Sequence, residues 1–259
     1  LHSGYRVGGG DTIILESCEY CNSFLHFFPT VAVVLNVEED HLDFFKDLDD
    51  IKASFRRFAQ LVPPGGHIVA NADNPGAMDA LKGLPLFTFG CGEDCSCRAV
   101  NLTWHLGRPD FDVVVGGQVY THLHLRVAGL HNVYNALAAA AAAFVLGIPA
   151  QAVRMGLEGF FGAGRRFEFK GQYNGAKVYD DYAHHPDELH ALLEMARSLG
   201  YERVICAFQP HTYTRTKALF DDFVRELKAA DLVVLTEIYA AREQNTAGIS
   251  SRDLSQQIP

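Results

Sequence analysis

Positive charge is what this sequence has little of. Lys and Arg number 22 against 31 Asp and Glu, a formal net charge of −9. A general binder of nucleic acid or anionic membrane needs a basic face, so the shortage argues against both partners. It leaves room for a locally basic phosphate pocket. Long apolar runs are missing too. The alanine-rich stretch 136–143, bounded by Asn135 and by Gly147 with Pro149, reads as a helix too short to cross a bilayer. No n-region and h-region open the sequence, so no signal peptide and a cytoplasmic setting are expected. The cysteines Cys18, Cys21, Cys91, Cys95, Cys97 and Cys206 include one C-x-x-C pair and one irregular cluster. The cluster has no histidine nearby in the pattern of a finger, and reduced thiols are expected in preference to zinc. A glycine–lysine phosphate loop of G-x-x-x-x-G-K-[ST] type is also absent.

What is present is a chain of 259 residues, 48% hydrophobic, enough for one or two domains of roughly 100–200 residues. Apolar runs at 11–17, 30–36, 67–73 and 85–90 read as strands, with helical spacing at 47–62 and 74–84 between them. That alternation predicts a parallel sheet covered by helices. From about 98 to 127 the period changes to two, with Gly116-Gly117 between the last two segments, which predicts an antiparallel ladder inserted in the α/β body. A helix over 131–147 follows, with Asn132 as its expected cap, and then another helix over 149–160. After the glycine- and arginine-rich link 162–166 the alternation starts afresh, with strands at 176–182, 203–209 and 231–237 and helices at 186–200 and 216–230. The expected fold is α/β: two parallel-sheet, three-layer domains over 1–163 and 164–259, the first with a small antiparallel insertion. Three strands are few for a doubly wound domain, so the second is expected to be incomplete.

Ligands of open parallel sheets collect at the C-terminal ends of the strands. The run 31–35 ends in a group of acids and one imidazole: Glu38, Glu39, Asp40, His41 and Asp43. This is either a solvated loop before a helix cap or a cation site. Magnesium prefers oxygen ligands and retained water, so a carboxylate with one imidazole serves only if phosphate oxygens complete the set. Asn132 and Asn135 share a helix face at i, i+3 and could read a purine edge; a cap and a surface amide is the plainer alternative. Arg165 and Arg166 suit bidentate phosphate binding or a solvated basic link. "DDYAHHP" (180–186) and "QPHTYTRT" (209–216) each place polar groups at a strand–helix junction, a natural anion site.

Taken together and in order, "EDHLD", "GLHNVYNALAA", "GAGRRFE", "YDDYAHHP" and "QPHTYTRT" resemble the Mur ligases of peptidoglycan synthesis, over essentially the whole chain. "ESCEYCNSFLHFFP" (16–29) is similar to the branch that adds L-alanine to UDP-N-acetylmuramate. The resemblance implies an ATP-dependent ligase. ATP would phosphorylate the lactyl carboxylate, and the amine of L-alanine would displace phosphate from the acyl phosphate. It implies Glu16 and His41 as magnesium ligands and Asn132 and Asn135 at adenine. Arg165, Arg166, Asp181 and Tyr182 would hold the nucleotide, with His184 and Arg215 near the phosphates and the substrate carboxylate. Arg56 stands where several Mur ligases carry a carbamylated lysine, which favours the alanine-adding branch; no role is carried over to Thr212. The missing phosphate loop, sugar-nucleotide domain and C-terminal end imply an internal fragment that is inactive alone. The alternatives are a recycling ligase that attaches a peptide to the same sugar nucleotide, and a catalytically dead nucleotide-binding module.

Overall fold

Four residues, Val31–Val34, form the first strand (β1), with Ala32 and Val34 buried to 1% and 2% exposure. The structure is a computed structural model that describes residues 7–42 and 44–258. Two compact units divide it, Leu1–Phe87 and Thr88–Pro259. In the first, β1 pairs in parallel with β2 (His67–Asn71) from Val31↔His67 to Val34↔Ala70. Between them runs α1 (Leu48–Gln60), whose Asp47 side chain accepts the Asp50 N–H at its start. Asp49 and Asp50 in the first turn complement the helix dipole. The short α2 (Pro75–Ala80) is capped by Asn74, with proline in its first turn, where its missing N–H costs nothing. Val34, Val37, Phe45, Ile51, Ile68 and Leu81 belong to the core, and Phe24 stacks on Phe58 at 4.7 Å.

The segment 11–17, expected as a strand, is irregular here. Ile13 and Ile14 are 82% and 91% exposed. An apolar run becomes a strand only where a neighbour takes its backbone groups, and among the described residues none pairs with this one. It leads into a seven-residue 3-10 stretch, Tyr20–His26, with Cys21 and Asn22 in the left-handed region.

The boundary between the units falls inside β3 (Leu86–Gly90). In the second unit the end of β3 pairs in parallel with the start of β4 (Cys97–His105), Phe89↔Cys97 and Gly90↔Arg98. The antiparallel ladder then appears as expected: β4, β5 (Arg108–Val115) and β6 (Gln118–His124), with Cys97↔Val115 and Asp112↔His122 in register. Gly116 (φ 57°) and Gly117 (φ 79°) make the tight turn whose positive φ values match strand twist. The alanine run builds α3 (Leu130–Val145), with Leu137, Ala140 and Ala141 fully buried. Its cap is Gly129 at φ 95°, not Asn132, which lies in the first turn. Cys97, fully buried, points its thiol at the Leu137 carbonyl at 3.9 Å. Burial pushes that thiol up to about 12.

After α4 (Ala150–Glu158) comes a strand the sequence reading did not anticipate, β7 (Glu168–Tyr173). It pairs antiparallel with β8 (Ala176–Asp180) through an Asn174–Gly175 turn. β8 therefore belongs to a hairpin. β9 (Ile205–Phe208) and β10 (Leu232–Leu235) form a separate parallel pair. The single helix expected at 216–230 is two, α6 (Tyr213–Ala218) and α7 (Phe220–Leu227), broken at Leu219. Helix α5 (Pro186–Ser198) and the short α8 (Ser251–Ser255) complete the unit. Its C-terminal core includes Leu189, Phe208, Phe223, Leu227 and Leu254. The α/β class and the antiparallel insertion hold; no helix among the described residues is long and apolar enough to cross a membrane.

Helices α5 and α7 are tied at the surface by His190 Nδ1 and Glu226 Oε2, 2.7 Å apart. The hydrogen bond to Glu226, with Glu194 and Asp187 nearby, raises the His190 pKa. A raised folded-state pKa contributes stability that is full below the unfolded value, about 6.5, and is lost as pH rises through the folded value. The thermal midpoint of the parent should therefore exceed that of His190→Gln by more at about pH 6 than at about pH 9. Equal differences at both pH values would show that the pair is only a crossing of side chains.

Candidate functional site

The loop beyond β1 is fixed by one side chain. Asn74 Oδ1 accepts the Val37 N–H at 3.2 Å and the Ala77 N–H at 2.8 Å, and its Nδ2 donates to Glu38 Oε1 at 3.2 Å. The cap of α2 thus also holds the acidic loop. Val37, 2% exposed, anchors it from below. His41 lies further along at φ 54°, its N–H donating to Asp40 Oδ1 at 2.7 Å. Its Nε2 stands 3.6 Å from Glu19 Oε1 and 3.8 Å from Asp40 Oδ2, and its ring lies 4.7 Å from that of Tyr20. Glu16, the expected partner, is exposed on the irregular segment, and the carboxylates next to His41 are Glu19 and Asp40. Asp43 lies outside the described residues. Arg56 donates to the carbonyls of Ala80 and Lys82, at the end of α2. Among the described residues no group of three or more His, Cys, Asp or Glu is arranged to hold a metal ion unaided. One or two protein donors suffice where phosphates and water supply the remaining oxygens, as magnesium prefers.

The second unit gathers most of the other expected residues. At the start of α3, Asn135 Nδ2 donates to Asn132 Oδ1 at 3.3 Å, so the two carboxamides do share a face. Asn132 Nδ2 donates to the Ala128 carbonyl at 2.7 Å. His131, which the sequence reading passed over, sits beside them. Although the residue keeps an exposed face, desolvation of its ring holds its imidazole below the ordinary range, opposed by the charge of Asp181 and reinforced more weakly by that of Arg166. That places α3's first turn within electrostatic reach of the 162–166 link and the end of β8.

The link itself is tightly built. Arg165, at φ 57°, donates its N–H to Glu168 Oε2 at 2.9 Å. Its carbonyl accepts the Tyr182 N–H at 2.9 Å, and its guanidinium lies 4.5 Å over the Tyr182 ring. Asp181 accepts the Phe167 N–H at 2.7 Å on one oxygen and the Ala183 N–H at 2.8 Å on the other. His184 Nδ1 donates to the Tyr182 carbonyl at 2.9 Å, which leaves Nε2 as the acceptor of that tautomer. Tyr182 and His184 meet edge to face at 5.2 Å.

Both junctions expected to take anions already hold carboxylates of the chain. At the start of α5, Glu188 Oε2 accepts the N–H groups of His184 at 2.8 Å and His185 at 3.2 Å. At the start of α6, Glu243 accepts the N–H of Tyr213 at 2.7 Å and of Thr214 at 3.0 Å, and the Thr214 hydroxyl. Arg215 lies in the first turn of α6, with Nη1 3.4 Å from His211 Nδ1. His211 stands between His184 and Tyr239, at ring separations of 5.7 and 5.6 Å. Burial, then Arg215 and His184, push its pKa down, against Glu243. His184, His211 and Arg215 therefore form one connected group. Glu16 and His41 belong to the first unit.

This combination of an inserted α/β body, paired asparagines, a doubly basic link and two polar strand–helix junctions matches known sequences along its length. The family model described as the Mur ligase middle domain matches residues 8–143, and that described as the Mur ligase, glutamate ligase domain matches residues 165–259. The chain belongs to the Mur ligase family. It is 46% identical over 252 residues to the UDP-N-acetylmuramate–L-alanine ligase of Caldanaerobacter subterraneus subsp. tengcongensis, covering 96% of this chain and 55% of that protein. It is 44% identical to the enzyme of the same name from Clostridium novyi, covering 100% of this chain and 57% of that one. Among solved structures, the UDP-N-acetylmuramate-alanine ligase MurC from Thermotoga maritima superposes with a TM-score of 0.72 at 27% identity, over 91% of this chain and 50% of that one. The chain thus spans about half the length of these relatives.

Proposed function

We propose that this chain carries the nucleotide-binding and part of the amino-acid-handling machinery of an ATP-dependent ligase that joins L-alanine to the lactyl carboxylate of UDP-N-acetylmuramate, in the cytoplasm. The observation that carries the reading is the grouping in the second unit: Asn132 with Asn135, Arg165 with Tyr182, Arg166, Asp181, and His184 linked through His211 to Arg215. The names of the relatives support the same substrates. In this reading Asn132 and Asn135 meet the adenine edge, each amide offering a donor and an acceptor. Arg165 and Arg166 meet phosphates, and Asp181, already bound to two backbone N–H groups, fixes the link that presents them. Tyr182 and His184 line the same wall, and Arg215 faces the charge that develops at the reacting carboxylate. Glu16 and His41, with Glu19 and Asp40 at hand, would hold magnesium, which neutralises phosphate charge when bound.

Two further readings differ in what they consume. A recycling ligase would accept a peptide in place of L-alanine, and a dead module would bind nucleotide without turnover. Protein from the complete reading frame should release phosphate from ATP and magnesium only when both UDP-N-acetylmuramate and L-alanine are present. Release driven by a tripeptide instead, or nucleotide binding with no release, would transfer the assignment to the corresponding alternative.

Asn135→Ala removes a carboxamide that the Asn132 side chain helps to orient, and nothing in the core. Losing a hydrogen bond from a bound base should weaken ATP binding by roughly tenfold, about 1–1.5 kcal/mol. UDP-N-acetylmuramate should bind within about twofold of the parent. Titration calorimetry with each ligand separates the two; equal losses would remove Asn135 from the adenine site.

A further inference from the structure

Glu188 was not among the residues the sequence pointed to, yet its carboxylate meets three that were close to the expected site. One oxygen accepts the backbone N–H groups of His184 and His185 and lies 3.4 Å from His184 Nδ1. The other lies 3.6 Å from Arg166 Nη1. These contacts are unequal. Two N–H bonds at a helix start, on a side chain two-thirds covered, hold the carboxylate in place. Arg166 is 57% exposed and meets Glu188 at a distance too long for a good charge-assisted hydrogen bond. A well-held anion therefore faces an exposed, weakly paired cation. The Arg166 backbone N–H donates to the Ala163 carbonyl at 3.2 Å, so the base of the side chain stays where it is while the guanidinium is only loosely held.

We infer that Glu188 is an anchored counter-ion at the nucleotide site that competes for Arg166: it holds the guanidinium in the empty protein and gives it up to a phosphate of the incoming nucleotide. The inference rests on the nucleotide reading above. An exposed ion pair contributes little, about 0–1 kcal/mol, so the exchange costs little and the arginine is not locked away. A diphosphate or triphosphate, multiply charged and able to accept two guanidinium N–H groups, outcompetes a single carboxylate oxygen at 3.6 Å.

Glu188→Gln tests this, because the amide oxygen keeps an acceptor for the His184 and His185 N–H groups while the charge is removed. Protein from the complete reading frame is titrated with ADP, and with ATP and magnesium, as parent, Glu188→Gln, Arg166→Ala and the double variant. Glu188→Gln should bind both nucleotides roughly two- to fivefold more tightly than the parent, the equivalent of an exposed pair no longer competed for. In the Arg166→Ala background the same change should have no effect. If the glutamine variant fails to fold, Glu188→Asp, which withdraws the charge by one methylene, should give a smaller gain of the same sign. Unchanged or weaker binding overturns the inference while leaving the nucleotide site intact, as does a gain that persists without Arg166. A parent that binds neither nucleotide overturns the underlying reading and this inference with it.

Discussion

Gly76→Ala should lower the thermal midpoint by roughly 6–12 °C, at about 2–4 °C per kcal/mol for a chain of this size. Gly76 has an ordinary φ, so the effect is not conformational. A Cβ built there would lie 2.0 Å from the Val37 carbonyl oxygen and 3.1 Å from its carbon. The atoms it meets are backbone and cannot rotate away. Val37 is buried, and its N–H is already bound to the Asn74 side chain at 3.2 Å. Accommodating the methyl means moving either α2 or the acidic loop, and overpacking against a fixed backbone costs about 3 kcal/mol, the upper end of the usual range. Gly156, inside α4, has nothing within 4 Å of its virtual Cβ. Gly156→Ala should therefore stabilise by about 0.5–1 kcal/mol, the helix preference of alanine over glycine. A Gly76→Ala midpoint within a degree of the parent would mean that α2 and the loop are not held together as described.

In the proposed ligase reaction of the full reading frame, Arg215→Ala should reduce kcat by roughly 100–1,000-fold, the usual loss for one well-placed electrostatic donor. The fold should tolerate the change. The Thr212 hydroxyl caps α6 through the backbone N–H of residue 215, which alanine retains. The arginine charge also depresses the His211 pKa, so its removal should let the imidazole titrate closer to the ordinary histidine value. Proton NMR of the ring reads that shift independently of turnover. A kcat within about threefold of the parent would place Arg215 away from the reacting groups, whatever the ring signal does.

The regular elements were legible where local chemistry and burial agree. Helix α1 carries both an aspartate cap and an apolar face, and α3 reads from its alanines, though its start shifted because Gly129 can adopt φ 95° and needs no side-chain cap. The run at 11–17 misled because apolar composition signals burial but cannot supply the neighbouring strand. The hairpin β7–β8 had its signal in Asn174–Gly175, at φ 47° and 84°. It was masked by flanking strands exposed on both faces, with none of the alternation that marks a half-buried sheet. The break at Leu219 has neither glycine nor proline to announce it.

In the candidate site, the asparagine pair followed from helical spacing alone. Which glutamate stands beside His41 did not: Glu19 is brought there ahead of a 3-10 stretch with two residues in the left-handed region, which spacing does not encode. His131, Glu188, His211 and Glu243 were hidden for a related reason. Their partners are distant in sequence or lie on backbone N–H groups, and only the folded chain makes those introductions.

The depth of Cys97 has a practical consequence for watching this protein open. Thiol reagents attack the thiolate, and a pKa of about 12 keeps Cys97 almost wholly protonated at neutral pH. Cys206, pushed by burial to about 11, is similarly protected, whereas Cys18 and Cys21 are exposed. Alkylation therefore proceeds fast at the exposed Cys18, Cys21 and Cys91 and forms a slow class at Cys97 and Cys206. The slow class reports on two places at once, β4 beside α3 for Cys97 and the β9–β10 pair for Cys206. Mass spectrometry of the two peptides turns their labelling rates into separate clocks for the opening of the inserted ladder and of the C-terminal sheet.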